Sequence, residues 1–286
     1  VYNGVEVHHF ERVTAVAPGH GVIYVPCHRS HVDYLLLSYL IFMRGLMVPH
    51  IAAGSNLNLP LVGSILRRSG AFFLRRKIKG EQLYAAVFQE YVHLMIERGF
   101  PMEYFIEGGR SRSGRTLAPK AGILAMTVQS FVRSHERPLV FIPVYIGYEK
   151  LMEGSTYLAE LHGRPKKSES LVGLLRAAKV LKQNFGRVHV NFGKPLALAE
   201  FLDAHRPSWR EESLDPQSPW LRGAVDATAM ELARRINELA VVTPVNLVAV
   251  TLLSTPKHAA DLLLLQRQIG HVQFLLAESP YIGSII

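Results

Sequence analysis

The sequence predicts an α/β fold: a mixed or mostly parallel β-sheet flanked by helices, followed by a mainly helical segment. Three observations carry this. Short β-branched and aromatic runs alternate with longer apolar stretches over residues 20–195, which is the pattern of strands laid down with helices between them. From about Glu200 onward the strand-like runs stop and helical spacing takes over. Of the 286 residues, 49% are hydrophobic and 19% charged, so the chain has material for a large core and too little charge for a disordered segment. The division that follows is an α/β unit over residues 1–200 and a helical segment over 201–286.

The elements follow in order. Val22–Pro26 reads as a strand; Cys27, His28, Arg29 and Ser30 then form a loop, and the apolar run from Val32 to Met43 is too long for anything but a helix. Ser30 suits the N-cap, Asp33 falls in the first turn where a carboxylate meets the positive end of the helix dipole, and Gly45 ends the helix. Ile51–Ala53 and Ala71–Leu74 are strands with a helix over Leu61–Arg68 between them, and Glu81–Arg98 is a helix stopped by Gly99. Glu103–Ile106 is a strand, Glu107–Pro119 a polar loop, and a helix runs from about Lys120 to Arg133 with Pro119 at its start. Leu139–Ile146 is a buried strand in which Pro143, lacking an N–H, marks an end, an edge or a bulge. Val188–Phe192 is a further strand.

The formal net charge is +9, and two thirds of it lies between Arg67 and Lys120, where eleven Lys and Arg stand against five Glu. These cations are interleaved with apolar runs, which points to a partly buried anion site and to anionic partners: a phosphorylated metabolite, an acidic membrane surface or nucleic acid. No RNA- or DNA-binding module is recognisable, which removes nucleic acid. The single cysteine, Cys27, excludes an internal disulfide. Leu239–Pro256 carries no charge but includes Thr243, Pro244, Asn246, Thr251 and Ser254, so it reads as a buried or interfacial helix rather than a span. The start at Val1, with no signal peptide, and the apolar stop at Ile285 and Ile286 read as a piece of a longer chain.

Loops that leave the strand ends are where ligands gather in such folds. His28 and Asp33 are placed so that the first-turn carboxylate folds back onto the imidazole as orienter to base, with a helix cap or, with His31, a metal set as the alternatives. Cys27 is set by strand alternation to point away from His28 and into the core. Glu107–Arg115 combines glycines, which permit close backbone approach, with arginine forks suited to phosphate, the alternative being a solvated basic turn. Its likeness to a nucleotide P-loop fails at Arg115, where lysine is required, and at Pro119. Arg75 and Arg76 end an apolar strand and alternate in facing, so one is expected to face the site and the other solvent or lipid headgroups, with a surface role for both as the alternative.

Taken together, HRSHVDYLLLSY from His28, GAFFLRR around Arg75, FIEGGRSRSGR around Glu107 and IPVYIGYE around Pro143 resemble the glycerol-3-phosphate acyltransferase family, in its large bacterial membrane-bound branch. The resemblance covers roughly residues 20–195. It implies the glycerolipid acyltransferase fold, with His28 and Asp33 as the catalytic pair. It further implies that Arg75, Glu107, Gly108, Arg110 and Ser111 shape the glycerol 3-phosphate site and that Pro143 lies near the acyl donor. The implied donor is acyl-CoA or acyl-carrier protein, with no cofactor and no metal. The implied location is the cytoplasmic face of the bacterial inner membrane, held peripherally on its anionic surface. The alternatives are a dihydroxyacetone phosphate acyltransferase, which shares the motifs, a lysophosphatidate acyltransferase, which shares the first, and a non-catalytic membrane-binding fragment.

Overall fold

The computed structural model describes residues 2–58, 60, 62–75, 80–163, 184–212, 215 and 218–278. Among them the strands are β1 (Gly4–His8), β2 (Gly21–Pro26), β3 (His50–Gly54), β4 (Ala71–Leu74), β5 (Met102–Glu103), β6 (Leu139–Tyr148), β7 (Arg187–Phe192) and β8 (Leu196–Ala197). The helices are α1 (Glu11–Val16), α2 (Asp33–Met43), α3 (Val62–Arg68), α4 (Gln82–Glu97), α5 (Gly122–Arg133), α6 (Gly154–Leu161), α7 (Leu198–His205), α8 (Pro219–Glu238), α9 (Pro244–Ser254) and α10 (Leu262–Ala277).

The strands form one mixed sheet in the order β1-β7-β6-β2-β5-β3-β4, with β8 beside β6. β6, β2, β5, β3 and β4 all run the same way, whereas β7 and β8 lie antiparallel to β6. The carboxyl ends of the five co-directional strands therefore share one edge of the sheet, and the loops holding His28, Arg75, Glu107 and Glu153 all leave from it. β2 is buried along its whole length. That explains its unbroken apolar sequence, since a central strand covered on both faces has no solvent side to alternate with.

Pro143 departs from its expected place. It is buried in the middle of β6, opposite Val25 of β2. The missing N–H is tolerated because the antiparallel partner changes here from β8, which pairs Phe141, to β7, which begins at Val144. The Pro143 carbonyl takes the Gly193 N–H at 2.8 Å in that gap. The strand expected over Glu103–Ile106 is shorter, because the Gly108 N–H turns back to the Phe105 carbonyl and the Ile106 carbonyl accepts from Lys120. That last bond also holds Lys120 in the loop, so the next helix begins at Gly122.

Packing continues past residue 200. Trp209 and the α8 residues Leu221, Val225, Leu232 and Ile236 belong to the same apolar core as the sheet, with α8 against β6 and α5. α9 and α10 pack on each other; α9 buries only Thr251, and α10 buries no residue. At 11 residues, α9 is about 16 Å long, roughly half a bilayer's hydrocarbon core. Among the described residues no helix is long and apolar enough to cross a membrane.

Candidate active site

The site is built where β2 gives way to α2. Cys27 still pairs as strand, its N–H on the Val144 carbonyl at 2.9 Å. Its thiol is wholly buried and takes the Ile146 N–H at 3.2 Å. Burial pushes the thiol pKa up to about 12, so Cys27 is a protonated core residue facing away from the site, as strand alternation requires.

His28 is fixed at its backbone by the loop that follows β5. Its N–H donates to Glu107 Oε1 at 2.8 Å, and its carbonyl accepts from the Ser111 N–H at 2.8 Å. The imidazole lies flat on Phe105, with ring centroids 3.9 Å apart. Its Nδ1 is 3.0 Å from Asp33 Oδ2. A carboxylate accepts and does not donate, so Nδ1 carries the proton, and in the neutral ring Nε2 is then the nitrogen with the lone pair. The side chain retains 14% exposure, whereas Asp33 has none.

Asp33 is fully buried. Besides the imidazole, its Oδ2 accepts the N–H groups of Arg29 and Ser30 at 2.7 and 2.9 Å, and Oδ1 accepts the Tyr148 hydroxyl at 2.5 Å. Burial, reinforced by the Asp33 charge, raises the Tyr148 pKa, which keeps this phenol a donor. Ser30 is not the N-cap, a position held by Val32. Its hydroxyl takes the Val32 N–H at 3.2 Å and donates to Glu153. The His31 N–H also goes to Glu153, at 2.9 Å. The N–H groups of Arg29, Ser30, His31 and Val32, which lead into α2, therefore all have internal acceptors.

The other residues expected at the site divide into framework and periphery. Glu107 is buried and spends both oxygens on main-chain amides, His28 N–H and Leu117 N–H at 2.8 Å each; it ties the two loops together. Gly108 has φ +63°, and a Cβ there would lie 2.7 Å from the Lys120 side chain. Arg110 is brought close: its Nη1 is 2.9 Å from the Tyr157 hydroxyl and 3.6 Å from Glu153. The Tyr157 hydroxyl in turn donates to the Arg29 carbonyl at 3.0 Å, and burial pushes its pKa up to about 12. Ser111 is buried, its hydroxyl without a partner among the described residues. Pro143 sits inside the sheet. Arg75 is the outlier, 59% exposed and paired with Glu81, on a strand three positions from β2, or about 14 Å at ordinary strand spacing. Arg76 lies outside the described residues.

Three participants carry no local signal. Glu153 and Tyr157 lie more than 120 residues from the Ser30–His31 turn they join, and Tyr148 falls within the IPVYIGYE string without standing out there. Among the described residues no group of three His, Cys, Asp or Glu is arranged to hold a metal ion; His31 instead contributes its backbone N–H to Glu153.

A buried carboxylate and a partly buried imidazole thus stand together at the carboxyl edge of an α/β sheet, and the chain belongs to the acyltransferase family. Residues 4–147 match the family described as "Acyltransferase", and residues 157–284 match the "Glycerol-3-phosphate acyltransferase C-terminal region". The chain is 56% identical over 283 residues to a glycerol-3-phosphate acyltransferase of Pseudomonas syringae pv. tomato and 56% identical to one of Ectopseudomonas mendocina, covering 98% of this chain in each case. It spans about a third (34%) of the length of these curated relatives. A crystal structure of the 1-acyl-sn-glycerophosphate (LPA) acyltransferase PlsC from Thermotoga maritima superposes with a TM-score of 0.42 at 19% identity, covering 80% of this chain and 72% of that one.

Proposed function

We propose that this chain carries the active site of an enzyme that transfers a fatty acyl group from acyl-CoA or acyl-carrier protein to the sn-1 hydroxyl of glycerol 3-phosphate, giving 1-acylglycerol 3-phosphate. The observation that carries the reading is the His28–Asp33 dyad, 3.0 Å apart, with Nε2 uncommitted and Arg110 in the adjoining loop. Nε2 takes the hydroxyl proton as the substrate oxygen attacks the thioester carbonyl. The C–S bond then breaks, and the imidazolium returns the proton to the departing thiolate. Asp33 holds the ring and balances its transient charge. Arg110 anchors the phosphate, so that the hydroxyl is presented to a fixed base.

Radiolabelled glycerol 3-phosphate with palmitoyl-CoA, and in parallel with palmitoyl-carrier protein, should yield labelled lysophosphatidate from at least one donor; no product from either rejects the reading. Excess dihydroxyacetone phosphate should compete only weakly. Arg110→Ala should raise the KM for glycerol phosphate about ten- to a hundredfold, the loss of one charge-assisted contact. Arg75→Ala, at an exposed side chain paired with Glu81, should change that KM far less, and Lys at position 110 should restore it only in part because it lacks the fork. Loss of donor binding with glycerol phosphate binding intact would refute the assignment of Arg110.

The same reading places the enzyme peripherally at the cytoplasmic face of the bacterial inner membrane. Supporting it are apolar side chains left exposed at helical spacing, Leu35, Tyr39, Phe42 and Met43 on α2 and Leu83, Val87, Tyr91 and Leu94 on α4, together with the net charge of +9. Alkaline carbonate should release the protein from membranes; retention through that wash would reject peripheral attachment.

A further inference from the structure

Arg110, the phosphate ligand of the proposed function, already has a carboxylate beside it. Glu153 Oε1 lies 3.6 Å from Arg110 Nη1 and accepts the His31 N–H at 2.9 Å. The Ser30 hydroxyl approaches both oxygens, at 3.1 and 2.8 Å. A guanidinium, a main-chain N–H and a hydroxyl converging on one anionic group are the donors by which proteins hold phosphate. Ser111, the residue after Arg110, adds a buried hydroxyl that has no partner among the described residues.

We propose that the Glu153 carboxylate occupies the seat of the substrate phosphate and is exchanged for it on binding. This rests on the reading of Arg110 as a phosphate ligand and adds to it a residue that sets acceptor affinity. Charge requires the exchange. Glycerol phosphate brings up to two negative charges to a site that already holds Asp33, and a phosphate lodged beside an ionised Glu153 would place like charges within contact distance. Glu153 immediately precedes α6, with its side chain 19% exposed. Rotation about its own side-chain bonds therefore suffices to withdraw the carboxylate, without moving a strand or helix. In the empty enzyme Glu153 neutralises Arg110 and satisfies the Ser30–His31 turn. In the complex the phosphate does both, and Glu153 turns to solvent.

The test compares Glu153→Gln with the unsubstituted protein, using glycerol phosphate as substrate and inorganic phosphate as competitive inhibitor. Gln keeps an oxygen for Ser30 and His31 but removes the competing charge. Both the KM for glycerol phosphate and the Ki for inorganic phosphate should fall, by about tenfold if one charge-assisted contact no longer has to be broken. Glu153→Asp, which retains the charge but draws the carboxylate back by about 1.5 Å, should show a smaller fall in the same direction. A KM and Ki that stay constant or rise in both variants, at an unchanged melting temperature, would make Glu153 a strut and overturn the proposal. Arg110→Ala separates the two levels. If it raises the KM while the Glu153 variants do not lower it, Arg110 binds phosphate and the exchange is wrong. If it leaves the KM unchanged, the phosphate assignment fails and the exchange fails with it.

Discussion

Replacing His28 with alanine should lower kcat by ~10²–10⁴ while leaving the affinity for glycerol phosphate close to its original value. The split follows from where the contacts lie. In the proposed mechanism Nε2 meets the reacting hydroxyl, whereas the phosphate is held by Arg110, whose loop grips the His28 main chain at Ser111 N–H and Glu107 Oε1. Alanine keeps both of those backbone bonds. The fold should therefore tolerate the change: it removes a ring stacked on Phe105 and one of the four hydrogen bonds to Asp33, at a side chain that is partly open to solvent. Residual turnover would come from positioning alone. The measurement is kcat beside a direct Kd for glycerol phosphate. A kcat within a few-fold of the starting protein would remove His28 from the chemistry, and a Kd that weakens in step with kcat would recast it as a binding residue.

The His28–Asp33 pair was legible because its determinants are local. A strand end, a five-residue interval and a first-turn carboxylate all lie within one turn of chain, and Cys27 was placed in the core by alternation alone. What surrounds the pair was not legible, because it is assembled by sheet order. β2 lies between β5 and β6, so the loops after those two distant strands deliver Glu107 and Glu153 to the same turn. Nothing near either glutamate in sequence says that one clamps main-chain amides and the other faces an arginine. Pro143 shows the opposite failure: a sound local rule, proline at a strand end or edge, yields to a tertiary circumstance, the gap between β7 and β8. β1 was missed for a similar reason, since GVEVH becomes a strand by pairing in parallel with β7, more than 180 residues away.

Asp33 should prove the least replaceable side chain in the molecule, and two substitutions separate its duties. Asp33→Ala leaves the His28 Nδ1–H, the Arg29 and Ser30 N–H groups and the Tyr148 hydroxyl without their acceptor. At ~1–3 kcal/mol for each buried donor left unmade, and with entering water relieving only part of it, the loss is comparable to a domain's whole stability of ~5–15 kcal/mol. Asp33→Ala should accordingly fail to accumulate folded protein. Asp33→Asn keeps the shape. Its amide can turn in two ways, and the hydrogen bonds choose between them: the oxygen must take the Oδ2 position, where three N–H donors converge, which puts the NH₂ against Tyr148, whose hydroxyl can rotate to accept from it. In that orientation the imidazole tautomer survives, and what is lost is the negative charge that stabilises the imidazolium while the proton rests on Nε2. The expected result is a folded protein whose kcat is down by roughly 10²–10³, with the KM for glycerol phosphate little changed. Tyr148→Phe in the Asn background should then cost further stability, because the amide NH₂ loses its acceptor, with kcat falling little beyond the Asn level. Asp33→Asn with near-original kcat would show that the dyad needs only an acceptor and not a charge, and a stable, folded Asp33→Ala would show that the donors around this carboxylate have another outlet.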